Sequence, residues 1–135
     1  MTKETEEVSE NRGEVRPRVL VVDDEDQFRP MMVAYLTHLG YPADAVADGT
    51  EAIKTIRAGR HGIVLLDCKM PGIDGCETTR QIRALDLPGG QPRIVGFSGD
   101  DRVDLRMECM AAGMDGYLPK PFTEEELRAA LERVR

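Results

Sequence analysis

The run Gly62-Ile63-Val64-Leu65-Leu66 is apolar at each of its last four positions, and it closes on a carboxylate, Asp67. A strand with one wet face alternates apolar and polar residues, whereas an unbroken apolar run must be covered on both faces. Val19-Leu20-Val21-Val22 reads the same way and closes on Asp23-Asp24-Glu25. A third run, Gly116-Tyr117-Leu118-Pro119, delivers Lys120. Stretches of helical periodicity separate these runs, and alternation of strand with helix implies a parallel sheet between helical layers. The chain is therefore read as an α/β protein: a five-stranded parallel sheet with helices on both faces, doubly wound as (βα)5.

The elements follow from pattern and punctuation. Phe28, Met31, Met32, Tyr35, Leu36 and Leu39 recur at helical spacing up to Gly40, with Pro30 in the first turn, where a missing N–H costs least. A short strand at about 43–47 and a helix over about 50–58, stopped by Gly59, precede the Asp67 strand. A helix over about 74–85, a Pro- and Gly-rich loop at 86–92, a strand at 93–97 and a helix over about 102–112 come next. Thr123 and Glu126 make a capping box for the last helix, whose apolar face is Leu127, Ala130, Leu131 and Val134. Methionines 31, 32, 107, 110 and 114 are read as core residues from their helical spacing. His38 and His61, with no partner at catalytic or metal spacing, are read as surface residues.

Residues 1–16 stand apart. Glu4, Glu6, Glu7, Glu10 and Glu14 outweigh Lys3, Arg12 and Arg16, and little is apolar, so this segment is expected to be a disordered acidic leader. Residues 17–135 form one folded domain, long enough to bury about two-thirds of its unfolded surface. The net charge of −7 argues against direct binding to nucleic acid, which needs clustered cations. No apolar stretch approaches the roughly 20 residues of a membrane span, and the acidic N-terminus is no secretory signal. Cys68, Cys76 and Cys109 lack metal-ligand pairing in sequence and are read as reduced thiols, which suits a cytoplasmic protein.

The chemistry gathers at the C-terminal ends of the strands, where open α/β sheets bind ligands. If the three strands ending in Asp23-Asp24, Asp67 and Lys120 are parallel neighbours, three carboxylates and one ammonium meet there. Like charges about 4 Å apart repel by roughly 4 kcal/mol at an effective dielectric near 20, so the acids need protons, a cation or both. Hard oxygen donors with room for water suit Mg²⁺. Lys120 is a point charge suited to a phosphate group.

These segments also carry a resemblance. Val22-Asp23-Asp24-Glu25, then Leu66-Asp67-Cys68-Lys69-Met70-Pro71-Gly72-Ile73-Asp74-Gly75, then Phe97-Ser98-Gly99, then Tyr117-Leu118-Pro119-Lys120-Pro121-Phe122, in this order and at these separations, resemble a response-regulator receiver domain of the CheY-like family of two-component signalling. The match covers nearly the whole chain, from Arg18 to Val134, and implies the flavodoxin-like receiver fold. It implies that Asp67 is the phosphoacceptor, taking a phosphoryl group from a histidine kinase or a histidine phosphotransfer protein. Mg²⁺ is then expected on Asp24, Asp23, Asp67 and the main-chain carbonyl of Lys69. Ser98, Tyr117 and Lys120 match the phosphoryl-binding and switch positions, and Pro121 a position preceded by a cis peptide bond. Lys69 and Asp100 match two positions that flank the phosphoryl group and tune its lifetime; they either shield it from water or are ordinary solvated side chains.

The resemblance further implies an output face formed by the fourth helix, last strand and last helix, including residues 102–110, for a downstream protein or a phosphorylation-dependent homodimer. A phosphorelay intermediate, or a receiver cut from a hybrid kinase or longer regulator, is the alternative. A metal-dependent phosphatase with an aspartyl nucleophile fits less well. Such enzymes place a second acid two residues after the nucleophile, where Lys69 stands, and Asp23-Asp24 offers no aspartate-x-aspartate spacing. The chain is thus expected to be a signalling phosphoprotein rather than an enzyme, with at most slow self-dephosphorylation.

Overall fold

Five strands and five helices alternate without exception along residues 16–99 and 102–134, which the computed structural model describes. They are β1 (Arg18–Val22), α1 (Phe28–His38), β2 (Ala43–Val46), α2 (Gly49–Arg57), β3 (His61–Asp67), α3 (Gly75–Arg83), β4 (Arg93–Ser98), α4 (Val103–Ala112), β5 (Gly116–Pro119) and α5 (Glu124–Val134). All pairings are parallel, in the order β2-β1-β3-β4-β5. The expected doubly wound sheet is what forms. The leader expected at 1–16 lies outside the described residues except for Arg16.

Alternation along each central strand builds two cores. Leu20, Val22, Val64, Leu66 and Ile94 face α2, α3 and α4, where Ala52, Ile56, Cys76, Ile82, Leu105 and Cys109 meet them. Val19, Val21, Ile63, Leu65, Val95 and Phe97 face α1 and α5, meeting Met32, Leu36, Leu127, Ala130 and Leu131. Each buried aliphatic side chain stabilises the fold by about 1.5–3 kcal/mol, so both faces of the sheet contribute.

Helix boundaries obey local chemistry. Asp48 and Asp74 cap α2 and α3 by accepting from the N–H groups of Glu51 (2.8 Å) and Glu77 (2.9 Å). The capping box forms: Glu126 N–H donates to Thr123 Oγ1 at 3.0 Å and Thr123 N–H to Glu126 Oε1 at 2.8 Å. Gly40 and Gly59, with φ of +92° and +74°, take the left-handed turns beyond α1 and α2. Arg83, at the end of α3, donates to Gly113 O, Pro92 O and Asp115, fastening the turns around β4 and β5.

Three expectations need correction. Met32 and Met114 are core residues, but Met31, Met107 and Met110 are exposed, Met107 by 64%. The buried stripe of α4 is Leu105, Cys109 and Ala112, which turns the two methionines of that helix outward. His61 is no surface residue: its side chain is only 6% exposed and its Nε2 lies 2.8 Å from Asp44 Oδ2. The register of β3 on β1 sets His61 beside Arg18, whose guanidinium also reaches Asp44. Finally, β5 is not a neighbour of β3, because β4 lies between them.

Candidate functional site

The strand order reverses direction between β1 and β3, and loops leaving their C-terminal ends separate to opposite sides of the sheet. A crevice opens at such a switch point. Asp23 and Asp24 follow β1 and Asp67 ends β3, and one carboxylate oxygen from each lies within 4.8 Å of the others. Asp23 is fully buried, Asp67 is 7% exposed and Asp24 faces solvent.

Each acid is held. Asp23 Oδ1 accepts from the Glu25 N–H at 2.7 Å, and its Oδ2 lies 3.4 Å from Lys120 Nζ. Asp67 Oδ1 accepts from the Lys69 N–H at 3.0 Å. Burial pushes the Asp67 carboxyl up to about 6, and the charges of Asp23 and Asp24 push the same way; the Lys69 N–H and Lys120 oppose them. An acid this close to neutrality favours its charged form once a cation arrives.

Lys120 reaches the acids from one strand further out. Its N–H bonds the Ser98 carbonyl at 2.8 Å, and its ammonium sits 3.5 Å from Glu25 Oε1. The Phe28 ring lies 4.1 Å beneath that ammonium and the Phe97 ring 4.9 Å away. This aromatic seat was not read from the sequence, where both phenylalanines count only as core positions. Arg29 was missed as well; its Nη1 donates to the Asp23 carbonyl at 2.7 Å and fixes the turn after β1.

Gly75 lets α3 approach β3 closely. A Cβ there would meet Asp67 O at 2.5 Å and Cys68 Cα at 2.7 Å, both of them backbone. Ser98, 3% exposed at the end of β4, shares a hydrogen bond with Tyr117, and the Arg106 guanidinium stands 4.9 Å over the Tyr117 ring. Tyr117 is thus half-buried and engaged with Ser98 in this structure. The Lys120–Pro121 peptide bond is cis. Lys69 is exposed beside the acids, and Asp100 lies outside the described residues.

The sequence model of the response regulator receiver domain matches residues 19–132. The chain belongs to the response-regulator receiver family. The response regulator MprA of Mycolicibacterium vanbaalenii is 40% identical over 119 residues, covering 87% of this chain and 49% of that protein. The MprA of Mycobacterium ulcerans is 40% identical over 124 residues, covering 87% and 51%. The chain therefore spans about half the length of the curated relatives it matches. Among solved structures, the chemotaxis protein CheY4 of Vibrio cholerae superposes with a TM-score of 0.83 at 30% identity, over 90% of this chain and all of that one. The receiver domain of the sensor histidine kinase PA1611 from Pseudomonas aeruginosa superposes at 0.80 with 33% identity, over 89% of this chain and 98% of that one; it holds a magnesium ion in its active-site cleft. Among the described residues here, no helix is long and apolar enough to cross a membrane.

The donors of this receiver fit such an ion. Three carboxylates around one buried corner are hard oxygen ligands with an unmet need for positive charge, and Asp24 leaves one side open to water.

Proposed function

We propose that this receiver accepts a phosphoryl group on Asp67 from a phosphohistidine of a histidine kinase or histidine phosphotransfer protein, and passes the signal on through protein contacts. The observation that carries this reading is the position of Asp67, nearly buried, raised toward neutrality and flanked by two further carboxylates. Asp23, Asp24 and Asp67, with the main-chain carbonyl of Lys69, would hold Mg²⁺, which when bound neutralises carboxylate and phosphoryl oxygens together.

An Asp67 oxygen attacks phosphorus in line, the P–N bond of the phosphohistidine breaks, and the electron pair stays on the departing imidazole. Transfers of this kind need positioning and charge balance more than covalent help from the acceptor. Lys120, steadied on Phe28 and Phe97, balances charge on the phosphoryl oxygens. Ser98 supplies a hydroxyl to one of them, and this contact competes with its bond to Tyr117. A ligand shifts a two-state equilibrium only through contacts that differ between the states, and the Ser98–Tyr117 bond is one that changes here. Lys69, exposed beside the acids, stands at a position that tunes how fast water removes the phosphoryl group; the chain is otherwise a signalling domain rather than an enzyme.

The output face is assigned to α4, β5 and α5, as the docking site of a downstream protein or a second copy. Val103, Met107 and Met110 expose an apolar stripe along α4, which supports this choice. The relatives' greater length and the likeness to a receiver within a sensor kinase favour a second reading, in which this receiver serves inside a longer regulator or as a phosphorelay intermediate.

The test is labelling with acetyl phosphate and Mg²⁺, read by intact-mass spectrometry. Wild type gains one acid-labile phosphoryl group and Asp67→Asn gains none. Undiminished labelling of Asp67→Asn would overturn the assignment.

A further inference from the structure

Cys68, Cys76 and Cys109 are far apart in sequence and meet in the core. Cys68 Sγ lies 3.1 Å from Cys109 Sγ, and Cys76 Sγ lies 3.5 Å from the same atom. Cys109 is therefore the middle of a file of three thiols joining the residue after Asp67, the first turn of α3 and the inner face of α4. All three are free and buried.

Access divides them. A cleft of about 430 Å³ opens between the loop after β3 and α4, lined by Cys68 and Cys76 together with Lys69, Asp74, Arg102 and Glu108. Cys109 does not line it and is fully buried. A small polar oxidant entering this cleft meets Cys68 or Cys76 first, with Cys109 directly behind either one.

We propose that this file is a modification site, at which a hydroperoxide converts the facing thiols of Cys68 and Cys109 into a disulfide. The Cys68 sulfur attacks the peroxide O–O bond, which breaks to leave a sulfenic acid on Cys68; the departing oxygen leaves as water or alcohol with the thiol proton. The Cys109 sulfur then attacks Cys68, the S–O bond breaks, and hydroxide leaves as water with the Cys109 proton. Two thiols lose two electrons and two protons, and the hydroperoxide takes them up. A disulfide spans about 2.05 Å, so the two sulfurs need to close by only about 1 Å. Cys76 can afterwards attack Cys109 and release the Cys68 thiol, moving the bond to α3 while Cys109 stays in it.

All three sulfurs are buried away from bulk solvent, so oxidation is slow. The site responds to sustained exposure rather than to a brief pulse. Its product ties α4 covalently to the residue that follows Asp67, so the oxidised chain holds that helix against the end of β3.

The test treats the full chain with hydrogen peroxide at high dilution, blocks remaining thiols under denaturing conditions and maps peptides by mass spectrometry. Wild type is expected to keep one alkylatable thiol in place of three and to give a linked peptide pair containing Cys109 with Cys68, or with Cys76 after exchange. Amide exchange along α4 should slow by about tenfold in the oxidised protein. Cys76→Ala should retain the Cys68–Cys109 link and Cys109→Ala should lose both links; the wild-type map decides the matter even if a variant fails to fold. Three alkylatable thiols after exposure, links only between molecules, or a Cys68–Cys76 bond without Cys109 would each overturn the proposal.

Discussion

Replacing Asp67 by Asn should make the metal-free protein more stable, and only above a definite pH. Burial first, and the neighbouring Asp23 and Asp24 second, raise the Asp67 carboxyl from 3.8 to about 6. The folded state therefore holds the proton more tightly than the unfolded chain, and ionisation in the folded state is unfavourable. Well below its ordinary value of 3.8, at about pH 2, the acid is neutral in both states and nothing is lost. Between pH 4 and pH 6 stability falls as the unfolded chain sheds its proton first, and above pH 6 the full penalty stands. A rise of about two pKa units at about 1.4 kcal/mol each gives a penalty of about 3 kcal/mol. Asn keeps the shape of the protonated acid and avoids that penalty. At pH 8 in EDTA, urea unfolding should show Asp67→Asn about 3 kcal/mol more stable, or about 10 °C higher in Tm for a chain this size. At pH 4 the gap should shrink to about 0.5 kcal/mol. Added Mg²⁺ should narrow the gap at pH 8 by stabilising wild type through binding. A gap of equal size at pH 4 and pH 8, or none at pH 8, refutes the reasoning.

Other outcomes follow from the same geometry. Gly75→Ala should cost about 1–3 kcal/mol in urea unfolding, because the new Cβ collides with backbone at Asp67 and Cys68 that cannot rotate away. Asp24→Ala should weaken Mg²⁺ binding while leaving the fold intact, and unchanged affinity by titration would remove Asp24 from the ligand set. Ser98→Ala should still be labelled on Asp67 yet respond to it weakly. In NMR spectra with beryllofluoride and Mg²⁺, equal shifts along α4 and β5 in wild type and variant would count against the switch.

What could be read from the sequence is what depends on period, caps and strand ends. Unbroken apolar runs revealed both faces of the sheet to be covered, and Thr123 with Glu126 announced the start of α5. Asp23, Asp24, Asp67 and Lys120 could be placed together because every parallel strand delivers its last residues to the same edge. The rest depends on rotation and on long-range register, which a linear pattern does not carry. Met107 and Met110 have helical spacing, but spacing alone does not say which face of α4 meets the sheet. His61 becomes buried only through the register that sets it near Asp44. The thiols of Cys68, Cys76 and Cys109 touch across three elements, and nothing local in the sequence connects them. Nor does any local signal mark Phe28 and Phe97 as the seat of Lys120.

The two faces of α4 have one more consequence. Its inner side is Leu105, Cys109 and Ala112, and its outer side shows Val103, Met107 and Met110. Most helices are fixed in azimuth because rolling them would drag charges inward and oil outward. A half-turn of α4 would exchange apolar side chains for apolar side chains, so partition into water resists such a roll only through Asp104, Arg106 and Glu108 on its flanks. The shape of a few contacts also holds it: three sulfurs on its inner side and Arg106 stacked on Tyr117 on a flank. A bearing gripped at so few points turns when any one of them is altered.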